Sequence, residues 1–407
     1  MVEKNKRMTM NTQICPVCRS QYTFEFLKRE RIPVVQNMIF SDKKSAISVP
    51  RGDLHLSCCK SCGFIFNSAF QENLVMYGKA YDNRQHFSEY FHQYMKKISE
   101  CLIQKKGVMN SHIIEVGCGD GTFLRLLLSD EQHGNTGTGF DPSYRGPESD
   151  CNGRARFIVD YYDQKYANFL ADVVVSRHVI EHIADPVKFL INIRDSIDKQ
   201  NASTVVIETP DVHWILENNS FWDFCYEHCS YFSPRSLSHA LEIAGFKSVE
   251  TMRTFGGQYM LSMAKPIECK VDTASRDQSK NKIFTIANKY AQHEQNFVEK
   301  NRSALIKLSK QGDIFLWGAG AKGVMYANML DPGSEFISSI VDVNPDKQGG
   351  FIPGSGHQVI SPDHLPQRGS VIIMNDNYTD EIKKQIPSHG KQIRLYSVHR
   401  IAEQQSE

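Results

Sequence analysis

No stretch of the 407-residue chain approaches the roughly 20 apolar residues that span a bilayer. The longest apolar strings, such as Val173-Val174-Val175, have the length of buried strands. Charge of one sign is also missing: 47 basic against 46 acidic residues leave a net charge of +1. That balance offers no electrostatic footprint for nucleic acid or an anionic membrane. The first residues, MVEKNKRMTMNTQICPVC, are polar and lack the apolar core of a secretory signal. Low-complexity segments and internal repeats are absent. The 11 cysteines are odd in number, which excludes complete intramolecular pairing. With no secretory signal, reduced thiols in a cytoplasmic protein are expected, some of them binding metal. What remains is a globular composition, 41% hydrophobic and 23% charged.

At roughly 100–200 residues per domain, this length suggests two or three domains. Residues 1–70 are punctuated by cysteines. Residues 71–265 alternate strand-like and helix-like patterns. Residues 266–311 are polar, and KIFTIANKYAQHEQNFVEKNRSALIKL within them has apolar residues at helical spacing, which predicts a connecting helix. Residues 312–407 form a second α/β unit. In the central unit, strand patterns at Ile113–Val116, TGTGFD, ADVVVS and TVVIETP alternate with helices. The expected fold class is therefore α/β with a parallel, doubly wound sheet.

Glycines at alternate positions follow the first of these strands, in Glu115-Val116-Gly117-Cys118-Gly119-Asp120-Gly121. Missing side chains let backbone turn tightly and approach a ligand. Asp141 closes the next strand, where an acidic residue accepts both hydrogen bonds of a ribose. Alone, the glycine pattern also fits a nicotinamide-binding fold or a structural turn. Together with Glu115, Asp141 and Ser176-Arg177-His178-Val179-Ile180-Glu181-His182-Ile183, it resembles the class I methyltransferases. The resemblance implies S-adenosylmethionine as methyl donor. The loop from Gly117 to Gly119 and on to Gly121 would flank its methionine part, with Glu115 beside it. Asp141 would hold the ribose, and Arg177 and His178 would line the pocket. His178 and His182 are four apart, as metal ligands on a helix are, but local packing and hydrogen bonding is the better reading of Glu181 and His182.

Cys15-Pro16-Val17-Cys18 and Cys59-Lys60-Ser61-Cys62 are two C-x-x-C knuckles about 40 residues apart. Four thiolates, Cys15, Cys18, Cys59 and Cys62, suit a closed, tetrahedral, structural zinc site. A redox disulfide is the competing reading of one such pair. Cys58 reads as a bystander.

Between TVVIETP and the helix at SPRSLSHALEIAGF, which Ser233 is placed to cap, lies DVHWILENNSFWDFCYEHCSYF. This insertion is expected near the C-terminal edge of the sheet, facing the donor. His228 is its first candidate for a base, since imidazole titrates near neutrality. Glu227 would raise its basicity or contact a substrate hydroxyl, and Tyr226 and Tyr231 would polarise or stack on the substrate. The bland alternative is that these aromatics pack a lid.

Nearly the whole chain resembles the three-domain sugar C-methyltransferases, through CPVC with LSCCKSCGFIFN, Tyr77-Gly78-Lys79-Ala80-Tyr81-Asp82-Asn83, the donor motifs, Glu227-His228 followed by Tyr231-Phe232-Ser233, WGAGAKG, and VDVNPDKQGGFIPGSGHQVISP. That resemblance implies an N-terminal zinc domain, a class I core, a Rossmann-like C-terminal domain and a nucleotide-linked keto-deoxysugar as substrate. His228 would remove a proton beside the ketone to give an enolate that attacks the methyl group, and Tyr81, rather than Tyr77, would assist. Two departures bear on the acceptor. Cys225 stands where the family commonly has tyrosine, and Phe255-Gly256-Gly257-Gln258-Tyr259-Met260 replaces its H-G-G-S-x-R segment. Both positions are expected to face the acceptor, which keeps O- or N-methylation of another sugar or small metabolite as the alternative.

In the last unit, Ile314–Trp317 feeds Gly318-Ala319-Gly320-Ala321-Lys322-Gly323, which resembles a phosphate-cradling turn. Lys322 would add a charge there, and Asp342 would serve as the ribose acid of a nicotinamide site. The family resemblance instead implies that this domain helps hold the sugar nucleotide.

Overall fold

The computed structural model describes residues 13–75, 77–78, 81–82, 84–197, 203–267, 282–386 and 392–403. Lys79, Ala80 and Asn83 of the tyrosine segment, and residues 268–281 of the connector, lie outside them.

Three sheets organise the chain. The central one has eight strands. Its parallel part runs Thr204–Pro210, Val173–Arg177, His112–Val116, Thr136–Phe140, Ala155–Ile158. Val, Ile and Phe dominate these strands because both faces are covered. An antiparallel hairpin, Phe246–Thr254 with Tyr259–Pro266, extends one edge, and Ser149–Asp150 closes the other. The sheet is therefore mixed rather than purely parallel. The helix Pro234–Ile243 starts as its sequence predicts: Ser233 accepts from the Ser236 amide, Ser236 returns the bond, and Pro234 opens the first turn. The C-terminal sheet has five strands, all parallel, in the order Val359–Ile360, Ser339–Val341, Ile314–Trp317, Arg368–Ile373, Gln392–Ser397.

The N-terminal sheet departs from expectation. Thr23–Pro33, Arg51–Cys59 and Ile65–Asn67 form an antiparallel meander, and its fourth strand, Ser230–Tyr231, comes from the central insertion. The insertion is thus not a lid on the donor. Phe221, Trp222, Phe224, Tyr226 and Phe232 are among the largest fully buried side chains of the molecule. Most of them join a core shared with the N-terminal sheet, the connecting helix and the C-terminal unit.

That helix, Lys282–Ser309, buries Ile283, Ala287, Tyr290, Ala304, Leu305 and Leu308 along one stripe. It is locked to the N-terminal sheet by the ion pair of Arg29 with Glu294, whose carboxylate also accepts from the Tyr290 hydroxyl. Arg29 donates a further bond to the Phe224 carbonyl at 2.8 Å. One guanidinium so ties the sheet, the connecting helix and the insertion. Removing one partner of a buried pair leaves an uncompensated charge. Arg29→Ala is expected to lower stability by about 3 kcal/mol, read as a lower urea midpoint. An unchanged midpoint would mean that Glu294 is satisfied without it.

Candidate active site

The strand His112–Val116 delivers the glycine loop to the C-terminal edge of the central sheet. Gly117 has φ +74°, and a Cβ there would lie 2.1 Å from Val179 Cγ2, so only glycine fits. Asp141 ties the loop to the neighbouring strand end. Its Oδ2 accepts from the Gly119 amide at 2.8 Å, and its Oδ1 accepts from the Ser143 amide and hydroxyl at 2.7 and 2.6 Å. The loop opens onto a cavity of about 600 Å³ lined by Glu115, Gly117, Gly119, Asp141, Arg177 and His178, with Tyr77 and Tyr81 on its wall. All six residues expected at the donor meet there.

Their electrostatics are specific. Glu115 is buried, its Oε2 has no hydrogen-bond partner among the described residues, and burial raises its carboxyl to about 8 against the pull of Arg177. Arg177 donates from Nε to Glu208 Oε2 at 2.6 Å and lies 4.2 Å over the Phe123 ring. One of its terminal nitrogens is unpartnered among the described residues. Glu208 also accepts from Tyr94 and, at 3.3 Å, from Thr254. An orphaned carboxyl oxygen, an orphaned guanidinium nitrogen and a carboxylate at the strand end suit the amino-acid and ribose parts of S-adenosylmethionine, and the volume is in the range of small-molecule sites.

A second cavity of about 250 Å³ lies between the central and C-terminal units. His178 and His182 line both cavities, so they form the wall between them. His178 holds a left-handed backbone, φ +54°, fixed by its amide bonding the Glu208 carbonyl at 2.9 Å. His228 lines the second cavity only. Its ring meets His182 at 4.8 Å and Tyr231 at 6.1 Å between centroids. Burial, and then the neighbouring His182, push its imidazole down to about 3, so it is neutral at physiological pH. The Glu181 carboxylate pulls in the opposite direction.

Glu227 departs from its expected role. It lines neither cavity. Its Oε1 accepts from the Gln36 and Asn37 amides at 2.6 and 3.2 Å, and its Oε2 accepts from Asn37 Nδ2 at 3.1 Å. The carboxylate whose charge acts on His228 is Glu181, while Glu227 holds the N-terminal unit. Tyr226 and Tyr231 are also behind the site. The Tyr226 hydroxyl accepts from the Gln71 amide, and Tyr231 bonds the backbone of Cys225. Cys225 is buried in the shared core, so that departure changes packing rather than the acceptor wall. Gln258 does face the cavity, but its amide exchanges two hydrogen bonds, 2.9 and 3.0 Å, with Asn375 of the C-terminal unit. Tyr81 lies 3.4 Å from Asn37 Nδ2, and burial followed by the charge of Glu227 raises its phenol well above the usual value. The tyrosine bonded into the histidine cluster is Tyr77, 2.8 Å from His182 Nδ1.

In the C-terminal turn, a Cβ on Gly323 would lie 2.0 Å from the Gly318 carbonyl oxygen, which explains that glycine. Asp342 closes the turn by accepting from the Ala319 and Asn344 amides at 2.7 and 2.9 Å. Lys322 is paired with Asp223 of the insertion at 2.6 Å. Both groups are committed to protein partners in place of the expected ligand.

The four cysteines also come together. Cys15 Sγ is 3.6 Å from Cys62 Sγ, and Cys18 Sγ is 3.5 Å from Cys59 Sγ, with all four within 4.8 Å. Zinc–sulfur bonds of about 2.3 Å in a tetrahedron place sulfurs about 3.8 Å apart, so the set fits that ion. Cys58 points instead to the Cys59 carbonyl.

Comparison with known proteins agrees with this layout. Residues 85–251 match the family model "Methyltransferase domain", and residues 256–394 match "C-methyltransferase C-terminal domain". The chain is therefore a methyltransferase, an enzyme of EC class 2.1.1. It is built as a methyltransferase domain followed by the C-terminal domain of the C-methyltransferases. C-methyltransferase NovU of Streptomyces niveus is 23% identical over 392 residues, 90% of each chain. Two solved structures align with parts of the chain. The 1,6-didemethyltoxoflavin-N1-methyltransferase of Burkholderia thailandensis is 17% identical, covering 46% of this chain and 83% of its own, with a TM-score of 0.35. CalO1, a methyltransferase in calicheamicin biosynthesis in its S-adenosylhomocysteine-bound form, is 20% identical over 43% and 56%, with a TM-score of 0.34. Among the described residues, no helix is long and apolar enough to cross a membrane.

The Glu115 carboxyl generates a pH prediction. With a folded value near 8 against 4.5 unfolded, the folded state retains the proton. The associated stability is complete below pH 4.5 and is lost as pH rises through 8. Glu115→Gln should therefore match wild type at pH 5 and exceed its melting temperature at pH 9. Parallel pH profiles for the two proteins would place the titration elsewhere.

Proposed function

We propose that the enzyme transfers a methyl group from S-adenosylmethionine to the carbon beside the ketone of a nucleotide-linked keto-deoxysugar. The observation that carries this reading is the meeting of two cavities at His178 and His182, with His228 on the wall of the second. The C-methyltransferase C-terminal domain and the full-length likeness to NovU support carbon as the methylated atom.

The donor, a substrate consumed in each turnover, supplies an electrophilic methyl on a sulfonium. Glu115, Gly117, Gly119, Asp141, Arg177 and His178 hold it. The acceptor enters the second cavity with its ketone near His228. The neutral imidazole takes the proton from the adjacent carbon, and the resulting enolate forms the new carbon–carbon bond as the carbon–sulfur bond breaks. Glu181 compensates the imidazolium that forms, and the raised phenol of Tyr81 stays protonated and available to donate. The C-terminal unit supplies the wall for the nucleotide, through Trp317, Asn344 and Met374. The four-cysteine cluster holds a structural zinc ion that braces the sheet on which Ser230–Tyr231 pairs.

His228→Ala should lose about 10²–10⁴-fold in turnover while binding S-adenosylhomocysteine as wild type does. Deuterium should enter the carbon beside the ketone with wild-type enzyme lacking donor, and not with the variant. Exchange in neither would favour methylation at oxygen or nitrogen. Asp141→Ala is expected to weaken S-adenosylhomocysteine on the order of tenfold by calorimetry; an unchanged Kd would mean the ribose lies elsewhere. Cys15→Ser should lower both bound zinc and the melting temperature. Zinc remaining at one per chain would remove Cys15 from the ligand set.

A further inference from the structure

We infer that Glu181, His182 and His228 form a second, solvent-reachable site for a divalent transition-metal ion, separate from the four cysteines. One ligating atom from each of the three lies within 4.8 Å of the other two. All three line the cavity between the central and C-terminal units. Two histidines and one carboxylate with the remaining positions open to a cavity is the donor set of mononuclear zinc, cobalt and iron(II) sites.

Two of the ligands are already oriented from behind. His182 Nδ1 lies 3.0 Å from the Glu227 carbonyl oxygen. The Tyr77 hydroxyl shares that nitrogen at 2.8 Å, so Nδ1 is committed to protein partners and Nε2 is the nitrogen left for an ion, which it ligates with the proton on Nδ1 donated to the carbonyl. Metal-bound histidines are held by this kind of N–H to carbonyl bond. Glu181 is fixed on both oxygens: Thr209 donates to its Oε2 at 3.0 Å, and His178 Nδ1 lies 3.4 Å from its Oε1, which still has a lone pair for an ion. The His182 and His228 rings meet edge-to-face, at 83°. Bonds of about 2.1 Å require ligand atoms about 3–3.5 Å apart, so binding draws the three together from within 4.8 Å.

The site has a consequence that rests on the reading of His228 as base. An ion there occupies the imidazole lone pair that proton abstraction needs, so the metal switches the enzyme off without displacing the donor. The ligand is recognised by its chemistry: an ion that takes imidazole and carboxylate together, as Zn²⁺ or Co²⁺ does and Mg²⁺ and Ca²⁺ do not.

Titration of the zinc-replete, full-length protein with Co²⁺ tests this. The expected result is one further equivalent, with visible d–d absorption and without the intense thiolate charge-transfer band that the cysteine site would give. His182→Ala, His228→Ala and Glu181→Gln should each weaken that equivalent at least tenfold, while Cys58→Ser leaves it intact. Folding of each variant is checked by S-adenosylhomocysteine binding. Absence of a further equivalent at millimolar Co²⁺, or its undiminished survival in any of the three variants, overturns the site. The two readings fail differently. If His228→Ala loses Co²⁺ but retains turnover, the metal site stands and the base assignment falls. If it loses turnover but binds Co²⁺ unchanged, the reverse holds.

Discussion

Glu227 is a fully buried carboxylate whose three hydrogen-bond donors all come from two consecutive residues of another structural unit, Gln36 and Asn37. A buried carboxylate without donors would be far costlier than any single contact around it. The backbone on either side is therefore committed as well. The Cys229 amide bonds the Glu181 carbonyl at 3.0 Å, the Asn67 amide bonds the Cys229 carbonyl at 2.9 Å, and Ser230–Tyr231 completes the N-terminal sheet. His228 sits between these anchors, its ring packed against His182 and Tyr231. The N-terminal unit, remote from the donor in sequence, is what gives this imidazole a fixed position at the second cavity.

The same turn device occurs twice and does different things. In each α/β unit an aspartate at the end of the second strand accepts from a backbone amide of the glycine turn, Asp141 from Gly119 and Asp342 from Ala319, at 2.8 and 2.7 Å. In both turns one backbone amide is thereby committed to the aspartate and the loop is tied to the neighbouring strand. In the first, the loop faces the large cavity, and Glu115 Oε2 and one terminal nitrogen of Arg177 on its wall lack hydrogen-bond partners among the described residues. In the second, Lys347 bonds the Ala319 carbonyl and Lys322 is taken by Asp223, so the turn is tied to its neighbours. Both turns line a cavity, and the difference lies in the charges beside them, unpartnered at the first and paired with protein groups at the second.

That distinction marks what was legible in the sequence. The strands of the central sheet, the cap at Ser233, the glycine loop and the six residues around it follow from local pattern, since periodicity and turn chemistry act within a few residues. The four cysteines were legible from their spacing, because two knuckles of the right ligand type have few other uses. The roles of Glu227, Cys225, Tyr226 and Lys322 were not. Each depends on a partner far away in the chain, Gln36, the shared core, Gln71 or Asp223, and no local pattern encodes those meetings. The strand at Ser230–Tyr231 is two residues long and pairs across more than 160 positions, beyond what alternation can signal. Glu181 and His182 stood in plain view within the IEHIADP segment, but their packing role hid that they also face the cavity.

The charges that line the second cavity are already paired. Arg84 is bonded to Asp82 at 2.7 Å and to Asp346 at 2.5 Å, Lys322 to Asp223 at 2.6 Å, and Lys347 is buried on a carbonyl. Glu381, on the opposite side, is occupied by Ser88 and the first amides of the helix Glu89–Glu100. An anion entering here gains Arg84 or Lys322 only by competing with a carboxylate, and Lys347 only by competing with the Ala319 carbonyl. Its electrostatic contribution is then a difference between two ion pairs rather than the full strength of one. The walls offer a term without that exchange: Trp214, Trp317, Tyr378, Val343 and Met374 present apolar and aromatic surface to the cavity. On the proposed reading of this cavity as the acceptor site, shape and stacking of the ligand's flat or apolar part come first. Phosphate charge then acts mainly on whether Arg84 and Lys322 leave their present partners.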